Sequence, residues 1–224
     1  MKLAFIDFQE RKKALECRYT VIGANEIESA IRPFKDYSQI ISQYYQYIKD
    51  EFIDYHNSIY KRMLNNDASV YGERQAQRIF LSELHERLHG QLDYLCLKSG
   101  TNNGGTPWTH LTIAKANTEY GDKSEYIFWR IDKKSGRYYI RLNQYSDIDK
   151  LNYNKKKENL TFQRKIFNEL LTKYKLTESK TSNRGIKESE IGLFYFDNNS
   201  YADLSNTLAR FSKEFVEKCQ GRNR

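Results

Sequence analysis

The chain is poor in cysteine, and the spacing of its cysteines excludes two classes of protein. Cys17, Cys96 and Cys219 are an odd number of thiols at wide separations. A disulfide scaffold needs cysteines in pairs, and a zinc knuckle or redox motif needs two of them within a few residues of each other. We therefore predict reduced structural thiols in a chain that folds around an apolar core rich in tyrosine and phenylalanine.

Long apolar runs are lacking as well. The sequence begins Met1-Lys2-Leu3-Ala4-Phe5-Ile6-Asp7 and meets a charge every few positions. A signal peptide needs an unbroken apolar segment, and a membrane-spanning helix needs about 20 consecutive apolar residues. We therefore expect a soluble, cytoplasmic protein with no membrane partner.

Motifs for nucleotide binding and nuclease chemistry are also missing. The glycines between Gly100 and Gly105 form neither the phosphate-binding G-x-x-x-x-G-K-[ST] pattern nor a G-x-G-x-x-G that opens a helix. A restriction-type nuclease needs an acid and an acid-x-Lys pair on adjacent strands to hold Mg²⁺, whereas Asp122 and Asp132 lie in predicted turns. We expect no cofactor, and we favour a non-catalytic protein over an enzyme.

Positive charge is what the composition does provide. The chain carries 37 Lys and Arg against 29 Asp and Glu, a net charge of +8. Basic proteins favour polyanionic partners, because each Lys or Arg that neutralises a phosphate releases condensed counterions. The interleaved acidic residues weaken this signal, so charge alone makes nucleic acid one candidate partner.

Apolar residues in the first half of the chain step by threes and fours. Between Ile27 and Ile59 this spacing predicts one long amphipathic helix, which Asn65-Asn66-Asp67 ends. A second helical pattern runs from Val70 to Lys98. Together the two patterns predict an antiparallel helical hairpin within a helical region of residues 1–99.

The turn-rich segment from Ser99 to Pro107 marks a predicted boundary, after which the period changes. Segments Glu125 to Ile131 and Arg137 to Leu142 alternate as strands do, and Asp132-Lys133-Lys134-Ser135-Gly136 joins them as a hairpin turn. A helix, a strand and a final helix follow. The sequence therefore predicts an α+β fold, with a long N-terminal helical hairpin and a small antiparallel or mixed sheet with two helices in a domain of residues 107–224.

Three phrases in the second half carry a resemblance to a known family. They are Arg137-Tyr138-Tyr139-Ile140-Arg141-Leu142, Lys165-Ile166-Phe167-Asn168-Glu169-Leu170-Leu171 and Glu190-Ile191-Gly192-Leu193-Phe194-Tyr195-Phe196, before a closing helix. In this order they resemble a small uncharacterised domain of prokaryotic defence and mobile-element proteins, often found C-terminal to a restriction-endonuclease-like nuclease domain. Glu190 stands where that family has a basic residue. The resemblance covers about Trp108 to Cys219, implies a nucleic-acid or defence setting, and transfers no catalytic residue.

The predicted strand hairpin offers a candidate nucleic-acid surface. Alternation places Ile127, Trp129 and Ile131 on one face with Tyr138, Ile140 and Leu142, and it places aromatic and basic residues on the other. Rings that stack on bases and guanidinium groups that bind phosphate suit a sequence-tolerant surface, although a covering helix would hide the same face. With the lysines of the turn, the candidate residues are Tyr126, Phe128, Arg130, Lys133, Lys134, Arg137, Tyr139 and Arg141.

A zinc site is an alternative, because His85-Glu86-Arg87-Leu88-His89 has the form H-E-x-x-H. Two histidines one helical turn apart can hold zinc while the glutamate between them acts as general base. Arg87, however, places a permanent charge on a helix that is normally buried, and no further ligand stands in a recognisable motif. Ordinary histidines at the flank of a surface helix explain the pattern as well.

The sequence therefore supports three classes of function. The first is a non-catalytic module that binds nucleic acid or a nucleoprotein complex in prokaryotic defence or counter-defence. The second is a protein-interaction factor or inhibitor that docks through the long helix, because tyrosine gives a large contact area at low entropic cost. The tyrosines concerned are Tyr37, Tyr44, Tyr45, Tyr47, Tyr55 and Tyr60. The third is a zinc metallopeptidase that uses His85, Glu86 and His89.

Overall fold

The computed structural model describes residues 22–101, 107–115, 126–146, 153–176, 188–196 and 201–220, so Cys17 lies outside the described part of the chain. The chain divides into two compact units, Met1–Arg62 and Met63–Arg224. The fold is α+β, as the sequence predicts. Among the described helices, none combines the length and the apolar character that crossing a membrane requires.

The described part of the first unit is helical, but the predicted single long helix is wrong. Helix α1 spans Ala24–Ile31, a 3₁₀ turn with Pro33 follows it, and α2 spans Gln39–Ile48. Ser38 interrupts the helical path because it is extended and its hydroxyl caps α2, accepting from the Ile41 amide at 3.3 Å. A π-helical segment, Lys49–Asp54, then leads into α3, Tyr55–Leu64.

The second predicted helix is also shorter than expected. Helix α4 spans Arg74–Leu88, and Gly90 follows it with a φ of 74°. Glycine adopts this left-handed conformation without a steric penalty, so the helix ends there. Strand β1, Cys96–Thr101, includes the last three residues of the predicted helix, Cys96 to Lys98, and the first three of the predicted turn-rich segment. The predicted N-terminal helical hairpin is therefore wrong.

A five-stranded antiparallel sheet forms the centre of the second unit, in the strand order β1-β2-β3-β4-β5. Strand β2 spans Pro107–Lys115, β3 Tyr126–Lys134, β4 Arg137–Tyr145 and β5 Glu188–Tyr195. Helix α5, Tyr153–Tyr174, separates β4 from β5, and α6, Tyr201–Gln220, follows β5. The turn-rich segment that predicted a domain boundary thus lies between two neighbouring strands of one sheet.

The β3–β4 hairpin forms where the sequence places it, with longer strands and a shorter turn. Ser135 and Gly136 both have positive φ, 50° and 80°, which is the backbone of a two-residue type I′ turn. This turn matches the right-handed twist of the paired strands. Asp132, Lys133 and Lys134, expected in the turn, pair instead with Tyr139, Tyr138 and Arg137 along β4.

Helices cover one face of the sheet, which we call the apolar face. In register across all five strands it carries Leu97, Leu111, Trp129, Leu142 and Gly192. The Trp129 indole nitrogen donates to the Ser212 hydroxyl of α6 at 2.8 Å, so this buried polar group is satisfied. The rings that pack between the sheet, α5 and α6 are Trp129, Phe167, Phe194 and Phe211.

Gly192 is required by close packing on this face. A Cβ atom at this position would lie 2.0 Å from Cε1 of Phe167. We expect Gly192→Ala to lower the free energy of unfolding by about 1–3 kcal/mol, since overpacking a dense core displaces side chains. Urea denaturation measures the loss. The same substitution in a Phe167→Leu background should cost less, and an equal cost in both backgrounds would contradict this packing explanation.

Candidate functional site

All the candidate residues except Lys133 lie on the opposite surface of the sheet, which we call the polar face. Lys133 pairs with Tyr138 and lies on the same side as Trp129 and Ile131. Arg130 pairs with Arg141 across β3 and β4, and Arg130 also pairs with His110 of β2. Phe128 pairs with Asn143 and Asp132 pairs with Tyr139 on the same face. The register therefore agrees with the predicted alternation of the hairpin.

Arg141 lies at the centre of a buried ion cluster on the polar face. Its side chain is 1% exposed, and its Nε atom is 2.5 Å from Oδ2 of Asp132. The other guanidinium nitrogens lie 3.2 Å from Oε1 of Glu188 and 3.9 Å from Oε2 of Glu190. Three carboxylates thus lie close to one buried cation, and their charges offset part of the cost of removing it from water.

Arg130 belongs to the same cluster. Its Nε atom is 3.1 Å from Oδ2 of Asp132, and its Nη1 atom is 4.0 Å from Oε1 of Glu188. The Asn143 side-chain nitrogen also donates to Glu188. Arg130 and Arg141 can lie side by side in the sheet because Asp132 and Glu188 lie close to both guanidinium groups and reduce their repulsion. From the sequence, these two guanidinium groups are predicted to bind phosphate.

Two of the predicted stacking rings are buried. Phe128 and Tyr139 are each 1% exposed, whereas Tyr126 is half-buried and stacks on Tyr145 with ring centroids 4.9 Å apart. Phe128, Tyr139 and Arg141 therefore present neither a ring nor a guanidinium group at the surface. The centre of the polar face is a packed ionic layer in the structure.

His110 completes the row of basic side chains on this face. Burial, together with the charges of Arg130 and Arg141, lowers the pKa of its imidazole to about 3. The ring is therefore neutral near pH 7. Its Nε2 atom is buried and has no hydrogen-bond partner among the residues that the structure describes.

The hairpin tip differs from the centre of the face. Lys133 and Arg137 are exposed, and each lies over an aromatic ring. The Lys133 ammonium is 4.9 Å from the centroid of Tyr138, and the Arg137 guanidinium carbon is 3.9 Å from the centroid of Tyr195. We call Lys133, Arg137, Tyr138 and Tyr195 the hairpin-tip cluster. Lys134 pairs with Arg137 in the backbone register.

Tyr138 and Tyr195 were missed as site residues by the sequence reasoning. Tyr138 was assigned to the apolar face, and Tyr195 belongs to β5, 57 positions after Tyr138. Tyr195 could be found as a site residue only from its pairing with Tyr139 between β4 and β5. Predicting that pairing requires the order of the strands in the sheet. Local alternation cannot supply that information.

The net positive charge is concentrated in the second unit. Residues 63–224 carry 27 Lys and Arg against 20 Asp and Glu, a net charge of +7, whereas residues 1–62 carry ten against nine, a net charge of +1. An electrostatic attraction to phosphate therefore acts mainly on the unit that holds the hairpin tip.

The H-E-x-x-H residues do not form the arrangement that zinc requires. His85 is buried within α4, but His89 is exposed beyond the helix end, with an extended backbone at ψ 129°. Glu86 is exposed, and Arg87 pairs with Glu83 one turn earlier. Within the described ranges, no three His, Cys, Asp or Glu side chains come together as metal ligands.

A different surface is exposed between Phe34 and Leu64. The large apolar side chains with high exposure in the described residues all fall in this segment: Phe34, Tyr37, Ile40, Tyr44, Tyr47, Tyr55, Tyr60 and Leu64. Tyr45, the remaining predicted contact residue, is half-buried, and its hydroxyl donates to Glu28 at 2.9 Å. Five of the six predicted tyrosines are therefore exposed.

The ion cluster predicts a large effect of removing Arg141. We expect Arg141→Met to lower the free energy of unfolding by about 3–5 kcal/mol, because Asp132, Glu188 and Glu190 lose the cation at their centre. Urea denaturation followed by circular dichroism measures this loss. Arg137→Met at the exposed tip is the matched control, with an expected change of about 0.5 kcal/mol or less. Similar losses for the two variants would contradict the assignment.

His110 predicts a specific dependence of stability on pH. Because the folded-state pKa is lowered, the unfolded chain takes up a proton as the pH falls below about 6.5 while the folded chain does not, so stability decreases. We expect His110→Gln to remove up to about 2 kcal/mol of the stability lost between pH 6.5 and 5. Denaturation at pH 8 gives the pH-independent cost of the substitution. Parallel pH profiles for the two proteins would refute the prediction.

The structure thus presents two surfaces with different chemistry: a cationic hairpin tip in the second unit and an exposed tyrosine-rich segment beginning in the first. The chain matches no protein-family model, no curated protein and no solved structure.

Proposed function

We propose that this protein is a non-catalytic nucleic-acid-binding module whose contact surface is the hairpin tip. The observation that carries the proposal is the hairpin-tip cluster, in which Lys133 and Arg137 are exposed and lie over tyrosine rings. The setting in prokaryotic defence or counter-defence follows from the resemblance of the second half to a domain of such proteins, and it is part of the same proposal.

The tip suits phosphate contact for a physical reason. A type I′ turn is short and defined in conformation, so it fixes the backbone at both strand ends. Lys133 then projects from one face of the hairpin and Arg137 from the other. A ring beneath a cation restricts that side chain to fewer conformations and leaves its charge exposed. The cost of ordering Lys133 and Arg137 on binding is therefore reduced, since part of their freedom is already lost.

The contact is expected to be small and to depend on salt. If Lys133, Lys134 and Arg137 each neutralise one phosphate of a duplex, log K falls by about 2.7 for each tenfold rise in salt. Neither Arg130 nor Arg141 is counted, because their guanidinium groups contact Asp132 and Glu188. Without these two arginines, the proposed nucleic-acid surface is limited to the tip of the hairpin.

The test is binding to labelled DNA and RNA, single-stranded and duplex, across a salt series. We expect Lys133→Ala/Arg137→Ala to weaken binding and to reduce the magnitude of the salt slope by about 2, since each lost phosphate contact removes about one unit.

The control variant is Lys165→Ala/Lys213→Ala, which removes the same charge from exposed positions on α5 and α6. It should change the slope much less. Equal slopes for the two variants would show that binding is not centred on the tip, and no binding by the wild-type protein at low salt would refute the proposal.

A protein-binding role is the second candidate, and one observation favours it specifically. Exposed large apolar side chains are confined to Phe34–Leu64 in the described residues. Contiguous exposed apolar surface on a folded protein marks an interaction site more often than scattered single residues do. This role uses a different surface from the hairpin tip, so the two candidates are compatible.

A further inference from the structure

Helix α2 has an exposed face that is apolar and uncharged. Its ten residues, Gln39–Ile48, include no Asp, Glu, Lys or Arg. Ile40, Tyr44 and Tyr47 follow the spacing i, i+4, i+7 and therefore lie on one side of the helix. Ile40 is 78% exposed, and Tyr37, just before the helix, is 84% exposed. We call Tyr37, Ile40, Tyr44 and Tyr47 the tyrosine face.

The opposite side of α2 carries its buried apolar side chain and its hydrogen bond to α1. Ile48 is fully buried, and Tyr45 donates its hydroxyl hydrogen bond to Glu28 of α1. Glu28 also accepts from Arg32, with Nε to Oε1 at 3.0 Å and Nη2 to Oε2 at 2.5 Å. Within the tyrosine face, Tyr47 makes an edge contact with Phe52 at 5.6 Å between ring centroids. Substituting Tyr44 instead leaves this contact and those of Tyr45 and Ile48 in place.

The described part of this unit buries little apolar surface. Between residues 22 and 62, Ile48 and Ile59 are the apolar side chains that are buried there. An exposed apolar face on a helix gains burial when the protein oligomerises. The exposed tyrosine face therefore offers the surface that such burial would use.

The chemistry of the face fits a second copy of itself. An uncharged surface meets its own copy without like-charge repulsion, and the first unit as a whole carries a net charge of only +1. Gln39 and Gln43 flank the face, and a glutamine amide both donates and accepts hydrogen bonds, so it can pair with its own copy. No Lys or Arg occurs from Tyr37 to Ile48, which disfavours nucleic acid and anionic lipid as occupants.

Charges at the two ends of the face also suit antiparallel pairing. Lys35 and Asp36 precede it, and Lys49, Asp50 and Glu51 follow it. A two-fold axis perpendicular to α2 brings the first end of one copy to the second end of the other. Each end carries both signs, so opposite charges can pair at the rim of the contact.

The exposed area of the tyrosine face gives an expected strength for the dimer contact. Tyr37, Tyr44 and Tyr47 are 84%, 43% and 53% exposed. At about 200 Å² for each side chain, they offer roughly 350 Å² per copy before Ile40 and the glutamines are added. A standard interface buries about 800 Å² per partner, so the contact is at the small end of specific interfaces. A dissociation constant in the micromolar range is the corresponding expectation.

We propose that the tyrosine face docks a second copy of this chain, with α2 packed antiparallel against α2 about a two-fold axis. Residues near the middle of the helix, such as Tyr44, then lie close to their own symmetry copies. The proposal does not rest on nucleic-acid binding.

The test is the solution mass of the full-length, nuclease-treated protein in 0.5 M NaCl, measured by sedimentation across a concentration series. The expected result is a shift from the monomer mass of 26.7 kDa towards twice that value with rising concentration. Tyr44→Glu and Tyr44→Lys should each stay monomeric, because each places like charges together at the axis. An equimolar mixture of the two should recover the dimer, since the charges are then opposite.

Tyr60→Glu on α3 is the matched control, because Tyr60 is similarly exposed and lies outside the tyrosine face. It should dimerise as the wild type does. Circular dichroism checks that each variant is folded. A wild-type protein that remains monomeric to about 1 mM would overturn the proposal, as would a Tyr44→Glu variant that still dimerises. A mixture that stays monomeric would overturn the antiparallel geometry.

Discussion

The packing of the sheet against its helices is the interaction on which the second unit depends. One row of paired residues crosses all five strands: Leu97, Leu111, Trp129, Leu142 and Gly192. Large rings fill the space above this row, and the absence of a Cβ at Gly192 lets Phe167 approach the backbone. Because this face is apolar and dense, it sets the register of every strand, and a slip of one residue would bury the opposite face.

The polar face carries several charged side chains, so burying it without paired charges would be costly. Arg141 lies deep in the layer and is tolerated because Asp132, Glu188 and Glu190 surround it. The same acids contact the guanidinium groups of Arg130 and Arg141. Lys133 and Arg137 lie at the end of the hairpin, where each is exposed and lies over a tyrosine ring. The charge that points to nucleic acid is thus restricted to a small part of the predicted surface.

The two units differ in charge. The second unit carries most of the net positive charge, and in the first the exposed side of α2 has no charge at all. An uncharged face suits association with itself, and cations on a rigid turn suit phosphate. Five of the six tyrosines behind the protein-interaction hypothesis are exposed. The single long helix on which they were expected is interrupted at Pro33 and Ser38.

Local sequence determined the parts of the structure that depend on neighbouring residues. Alternation in β3 and β4, the Ser135-Gly136 turn and the helix stop near Asn66 all follow from backbone preferences within a few positions. Tertiary structure decided the rest. Cys96–Thr101 is a strand because it pairs with β2, although the predicted helix extended through its first three residues. Arg141 is buried because Glu188 and Glu190, nearly fifty residues later, lie on the adjacent strand. Pairing between distant strands leaves no periodic signal, so no window of sequence reveals it.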